Sequence, residues 1–316
     1  MKNETSVRGI LFTAAGGIGW GLSGVCGQYL FANYRLDSAW LTAVRMVFAG
    51  VILICMAVPR HSREITGILK DRKDTLQLIA FSVAGLLLCQ YAFLSAVQYA
   101  NSGTATVLQS LNVVILTIFL SVKGRVLPEK KQLFSVVLAL AGVYLIATNG
   151  NPYVMVLSSR GLFWGITAAL GVVAYTLLSQ GIVKRWGNQV ITGLGMLIGG
   201  AVLFVAVRAW VMPASLDAGA LAVIAVIVLI GTAGAFTFFL QGVRYLGPVR
   251  ATLIACLEPV TATIISALWL RTRFNIADIL GFCCILATVF LSAKDRQTAG
   301  QTGGGRQMPV NKSNRP

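Results

Sequence analysis

The chain has 316 residues, 56% hydrophobic and 11% charged, where a soluble protein of this size carries about 25% charged residues. No water-facing globule hides that much apolar surface, so lipid is the solvent for most of the chain. The net charge of +16 does not point to nucleic acid, because the cations gather in alternate connections instead of on one face.

Ten apolar spans follow in order: Arg8–Phe31, Ser38–Val58, Thr75–Val97, Gly103–Val122, Gln132–Thr148, Gly161–Val183, Gln189–Val207, Ala218–Val243, Pro248–Leu270 and Ile276–Ala293. Each is near the ~20 residues that cross a bilayer as a helix. The expected fold is an all-α integral membrane protein of ten transmembrane helices. With the N-terminus inside, the inner segments hold 20 Lys and Arg and the outer loops 5. The positive-inside rule then puts both termini in the cytoplasm of a plasma (inner) membrane protein.

The first span is too long for a cleaved leader and lacks a small-residue cleavage site, so it reads as a retained helix. Its "GWGLSG" (Gly19–Gly24) spells the dinucleotide fingerprint, but no strand or suitably spaced acid accompanies it. Small residues at Gly17 and Gly21 fit close helix packing instead. Trp20 and Ser23 on this span are candidates to line an interior space.

Arg45 lies seven residues into the second span, roughly 10 Å deep at 1.5 Å per residue. Three readings stay open: it snorkels to the headgroups, it bonds a neighbouring helix, or it pairs an anionic solute group. Gln90 and Tyr91 on the third span, and Thr106, Gln109 and Asn112 on the fourth, are polar or amphipathic groups that favour an interior orientation. The linker Asn149–Ser159, with Pro152, closes a first unit of residues 9–148.

The second unit, residues 160–293, repeats the first. Tyr91–Ala147 lies on Thr237–Ala293 without a gap at an offset of 146, and 16 of the 57 pairs are identical. Upstream, Arg8-Gly9 and Gln28 align with Arg160-Gly161 and Gln180. Five spans per unit is an odd number, so the second unit enters the membrane from the other side. This inverted-topology repeat is the layout of many secondary transporters, because two such halves pack in near-equivalent inward-open and outward-open arrangements. Trp164, Tyr175 and Ser179 on the sixth span and Gln241 on the eighth join the interior candidates.

The ninth span holds Glu258, ten residues after Pro248 and so roughly 15 Å from the inner surface. A charge there costs at least ~2.5–3.5 kcal/mol on insertion scales. The acid must face a cavity, carry a partner or hold a proton. A reversible proton and a structural hydrogen bond to a nearby Thr or carbonyl are both open. Pro259 takes the helix hydrogen bond from the Ala255 carbonyl and should bend the helix beside the acid. Under the repeat, Glu258-Pro259 falls on Asn112-Val113. After residue 293 the polar, glycine-rich stretch to Pro316 reads as a disordered cytoplasmic tail.

Catalytic sites are scarce. The one histidine, His61, sits in a charged loop, and no span interior holds Asp. All six cysteines fall inside spans, where they behave as small hydrophobes. Neither a disulfide framework, a metal nor a cofactor is expected, and the protein is not expected to be an enzyme.

"LEPV" (Leu257–Val260), "VRMVFAG" (Val44–Gly50) and "RYLGPVRATLIACLEPV" give the chain its resemblance to the drug/metabolite transporter superfamily, specifically its EamA-domain ten-helix exporters. The likeness runs from about Gly9 to Ala293. Where the family often carries Gly-Glu, this chain has Gly124-Arg125 and Arg271-Thr272, which leaves Glu258 as its only membrane acid. The resemblance implies export of amino acids, related metabolites or drugs, frequently driven by protons or another gradient. Glu258 is then the expected proton-coupling or cation-binding residue. A small solute, protons and the lipid bilayer are the expected partners of a monomer or weak dimer. Rival readings are a multidrug or cationic-compound exporter and a channel-like facilitator.

Overall fold

The computed structural model describes residues 2–123, 130–151, 153 and 155–303, and these are helical with no strand among them. Helix α1 (Lys2–Tyr34) and helix α2 (Ser38–Lys70) form two long rods. Asp37 starts α2 by accepting hydrogen bonds from the backbone N–H groups of Ala39 and Trp40. Beyond the expected end of the second span α2 continues and kinks at His61, two residues after Pro59. The third span is α3 (Arg72–Ala80) and α4 (Leu88–Tyr99), joined by a π-helical turn at Phe81–Leu87. The fourth is two short helices, α5 (Ser102–Gln109) and α6 (Asn112–Lys123), with α7 (Lys130–Thr148) after them.

The second half follows the same plan. Helices α8 (Ser159–Trp186) and α9 (Asn188–Ala206) are continuous. Helices α10 (Ala218–Val228) and α11 (Ala235–Leu246) flank a second π turn, Leu229–Gly234. Helices α12 (Pro248–Ala255) and α13 (Leu257–Trp269) are separated at Cys256. The closing helix α14 (Ile276–Gly303) runs on into the stretch read as a disordered tail. Residues 304–316 lie outside the described residues, as do Gly124-Arg125 and Pro152.

The duplication seen in the residues extends to the irregularities. An offset of 146 carries Ser102–Gln109 onto Pro248–Ala255 and the break at Ser110 onto that at Cys256. It carries Asp71, the cap of α3, onto Asp217, the cap of α10. The two π turns overlap under the same shift. Packing corresponds too: α1 lies along α11 as α8 lies along α4, while α2 packs on α9 and α7 on α14.

Among the described residues, seven helical segments are long and apolar enough to cross a membrane: Val7–Tyr34, Ser38–Lys70, Arg72–Tyr99, Ser102–Lys123, Ser159–Trp186, Asn188–Ala206 and Ala218–Leu246. Three shorter apolar helices, Leu133–Thr148, Leu253–Trp269 and Ile276–Leu291, complete the set found. Large apolar side chains point outward on them, among them Leu268 (79% exposed) and Leu140 (66%). Water would make such a surface an aggregation site, whereas acyl chains solvate it.

Inside lipid, close backbone approach replaces hydrophobic burial as the main packing force. Gly17 and Gly21 show it, since α1 crosses the α12–α13 break there. A Cβ on Gly17 would sit 3.1 Å from the Ala255 carbonyl oxygen, and one on Gly21 2.7 Å from that of Glu258. The glycines of "GWGLSG" are thus helix-packing residues. Two ends of the bundle are told apart by their side-chain contacts. At one end, called the Tyr34 end, lie Ser38 bonded to Ser95, Trp40 bonded to the Ala209 carbonyl, and Tyr34 bonded to Asp217. At the other, the Trp186 end, Asp74 accepts from Trp186 and Arg185.

Candidate functional site

A cavity of about 300 Å³ occupies the middle of the bundle, where the helix irregularities of both halves converge. Ser110 and Cys256, the two break residues, line it, as does Gly231 of the second π turn. A break frees backbone carbonyls that a straight helix would satisfy, and irregular backbone at membrane depth is tolerated only where it faces protein or a wet cavity. At the first break the Asn112 side chain supplies the missing donor, its Nδ2 reaching the Gln109 carbonyl at 2.7 Å. Position 258 is the repeat mate of Asn112, and there the side chain is a carboxylic acid. The second break falls at Cys256, one turn before Pro259, where a residue with no N–H is expected to interrupt the helix.

Eleven of the fourteen residues singled out from sequence border this cavity, among them Glu258, Pro259, Asn112, Gln109, Gln90 and Arg45, together with Trp20, Ser23 and Tyr175. Thr106 and Ser179 are the other two. Three do not. Tyr91 follows Gln90 on α4 and so turns about 100° away, packing edge-on against Trp164 with ring centroids 5.1 Å apart. Trp164 is taken up by that contact and by Phe163 at 5.2 Å. Gln241 sits near the surface, with its Nε2 3.5 Å from the Tyr245 hydroxyl. Amphipathic type alone could not separate these from lining residues, because one helical step decides which way a side chain faces.

Arg45 does not snorkel. It is 3% exposed, and its Nη2 donates to Gln90 Oε1 at 2.5 Å and more loosely to the Gln90 carbonyl at 3.4 Å. Its Nε is enclosed without a partner, as is the Ser23 hydroxyl. Glu258 is half-buried, opens onto the same cavity and accepts no hydrogen bond. Arg45 and Glu258 form no ion pair: among the described residues the ion pairs join His61 to Glu64 and Arg185 to Asp71 and Asp74. One cavity therefore holds a guanidinium and a carboxyl group that do not touch.

Several lining groups had not been singled out. Cys89 accepts from Gln109 Nε2 at 3.3 Å, and Thr192 bonds Asn188 at 3.2 Å on the first turn of α9. Phe236 and Phe239 stand 5.0 and 5.1 Å from Trp20 and form an aromatic wall. Polar residues four apart on the seventh span, and the repeat mates of residues already chosen, were the available signals. The lining reaches exposed Asn188 near the Trp186 end. Toward the Tyr34 end the space is shut. Gln28 donates to Thr272 Oγ1 (3.0 Å) and accepts from the Ser102 backbone N–H (2.9 Å), and Tyr29 stacks on Trp269 at 5.2 Å.

Lipid-facing helices around a cavity that mixes apolar walls with polar and ionisable groups and reaches one end define a multi-pass membrane protein built to hold a small solute. Residues 7–148 and 159–294 each match the model of the EamA-like transporter family. The chain belongs to that family and is a membrane transporter of the drug/metabolite transporter superfamily. It is 34% identical over 288 residues to the uncharacterized inner membrane transporter YicL of Salmonella typhimurium, covering 91% of this chain and 96% of that one. The uncharacterized transporter YetK of Bacillus subtilis is 23% identical over 264 residues, 79% of this chain and 77% of the other. A protein crystal structure superposes with a TM-score of 0.58 at 13% identity, covering 94% of this chain and 98% of that one, which speaks for the fold.

Proposed function

We propose that the protein is a secondary-active exporter of small metabolites that works by alternating access. Its ten spans form two inverted five-helix repeats with both termini in the cytoplasm. The matched breaks, π turns and caps of the two halves support the repeat, and the clustering of Lys and Arg in alternate loops supports the orientation. The Trp186 end is then cytoplasmic, and the arrangement described is inward-open. The inner-membrane placement follows the name given to the Salmonella relative. Amino acids or related compounds are the cargo that the family resemblance implies.

One observation carries this reading: a largely apolar cavity studded with polar and ionisable groups sits where two matched helix breaks meet, open toward one end and closed at the other. A carrier needs a site whose two exits are never open together. The asymmetry has a residue-level cause. Gln28 bridges α1 to α5 and Thr272, whereas its repeat mate Gln180 is exposed and makes no hydrogen bond. The mate of Ser102 is Pro248, which has no N–H to offer.

Glu258 is the coupling residue in this scheme. It takes up and releases a proton, or a cationic group, as the cavity changes sides. Purified protein in proteoliposomes tests both parts. Trans-stimulated counterflow of a labelled solute is expected of a carrier and not of a pore. Glu258→Gln should keep the fold and lose the pH dependence of exchange; an unchanged pH dependence in the folded variant removes the proton role. The aromatic wall of Trp20, Phe236 and Phe239 favours one second reading, export of flat cationic compounds held by cation–π contacts. A panel of cationic dyes in the same vesicles distinguishes it.

A further inference from the structure

We infer that the stretch joining α2 to α3 at the Trp186 end is a headgroup-binding surface for anionic phospholipids, built on the exposed side chains of Arg60, Arg63, Lys70, Arg72 and Lys73. The inference needs only that the chain sits in a bilayer, and it is independent of what the cavity carries.

Helix α2 is longer than a membrane requires. Its 33 residues outrun the hydrocarbon core, since Ser38–Val58 already spans roughly 31 Å at 1.5 Å per residue. The turns from Pro59 to Lys70 carry the kink at His61 and add roughly 18 Å. Exposed apolar side chains show where lipid ends on either side of them. On α2, Val51, Met56 and Val58 give way to Arg60. From the π turn into α3, the stripe of Val83, Ile79 and Leu76 keeps three- and four-residue spacing and ends at Lys73 and Arg72. Cations that close a lipid-facing stripe stand at the level of the phosphates.

The extension is packed against its neighbours, so its charges are held in place. Ile68 is buried, Gly67 packs directly on the Trp186 ring, and Thr75 Oγ1 donates to the Ile68 carbonyl at 2.7 Å. Both aspartates of the region are engaged by α8, Asp71 with Arg185 and Asp74 with Arg185 and Trp186, and Glu64 lies 3.4 Å from His61. Among the described residues the side chains of the five cations make no hydrogen bond and no ion pair. With Arg185 they outnumber these three acids and leave a net charge of +3. The fold does not ask for them. Under the offset of 146 they fall on Ala206, Ala209, Leu216, Ala218 and Gly219 in the matching α9–α10 connection, with no cation in any of the five places. Arg63 and Lys70 lie two turns apart and share a face, and Leu69 and Leu76 are exposed among the cations. That mixture favours a lipid over a soluble anion, because phosphates meet the charges while acyl chains meet the leucines.

The test titrates purified full-length protein in detergent with dioleoylphosphatidylglycerol, dioleoylphosphatidylcholine and glycerol 1-phosphate. Occupancy is read by native mass spectrometry, and melting temperature checks folding. Phosphatidylglycerol should bind more tightly than phosphatidylcholine, and its affinity should fall as salt screens the surface. It should also bind more tightly than glycerol 1-phosphate, which has no acyl chains. Each Lys or Arg near an anionic surface contributes about five-fold, so Arg63→Gln/Lys70→Gln/Lys73→Gln should weaken phosphatidylglycerol roughly 100-fold. The charge-matched Arg160→Gln/Arg208→Gln/Arg271→Gln, at the Tyr34 end, should leave it nearly unchanged. If the first triple variant does not fold, Arg63→Gln and Lys73→Gln are read singly, each at about a five-fold loss. Equal affinity for the two lipids, undiminished binding in the folded variants, or an equal loss in both triples overturns the inference. Glycerol 1-phosphate binding as tightly as the lipid overturns it too, and leaves a site for soluble phosphates in its place.

Discussion

Replacing Gln28 by alanine should open the Tyr34 end. The side chain makes two hydrogen bonds there, to Thr272 Oγ1 at 3.0 Å and from the Ser102 N–H at 2.9 Å. The second satisfies one of the orphan donors at the start of α5. Each bond contributes a net ~0.5–1.5 kcal/mol, so the pair holds this end shut by roughly 1–3 kcal/mol. Their loss moves the closed-to-open ratio by about 5- to 150-fold. The readout is thiol labelling in a protein that keeps only Cys256, a residue lining the cavity. A membrane-impermeant reagent is added from the side of the Tyr34 end. Labelling should accelerate by a factor in that range in Gln28→Ala and stay at the parent rate in Gln180→Ala, whose side chain makes no hydrogen bond. An unchanged rate in Gln28→Ala, or equal acceleration in both, would refute the assignment of Gln28 as the closing residue.

Gly21→Val should overpack the crossing of α1 over the α12–α13 break. Its Cβ alone would lie 2.7 Å from the Glu258 carbonyl and 2.8 Å from Thr261 Cβ, so a loss of about 1–3 kcal/mol is expected as a lower melting temperature in detergent. Asp74→Ala should strand the Trp186 indole N–H. Asp74 is 8% exposed and accepts that bond at 2.7 Å, which sets the cost at about 1.5–3 kcal/mol; the half-exposed Arg185 adds little because solvent screens it. Asp217 is held below the usual carboxylate range, first by the Ala220 N–H and then by Tyr34 and further backbone donors. The cap it provides is therefore present above the unfolded pKa and lost as pH falls through the folded one. Amide exchange at the first turn of α10 should rise in acid, and an Asp217→Asn protein should lose that dependence.

Much of this architecture was legible in the residues. Hydropathy fixes where helices must run, since an unpaired backbone group in lipid costs several kcal/mol, and the offset of 146 marks the second half in the residues themselves. Glu258 announced itself by its cost at depth. Other features were not legible. The break at Ser110 has no proline, because Val113 stands where one would mark it, and the Asn112 amide that supports it acts only through a folded turn. The extension of α2 past Pro59 and the kink at His61 likewise needed the neighbouring helices.

Composition and periodicity alone determine that this chain crosses a membrane, roughly where, and that it does so twice over by the same plan, because those properties depend on each segment and its solvent. Only the tertiary structure decides that Arg45 turns inward to Gln90, that Tyr91 and Trp164 pack on each other, and that one end is shut while the other is open. Each of these depends on which side chain a neighbouring helix presents within about 3–4 Å, and distances between helices far apart in the chain are not written in either helix alone.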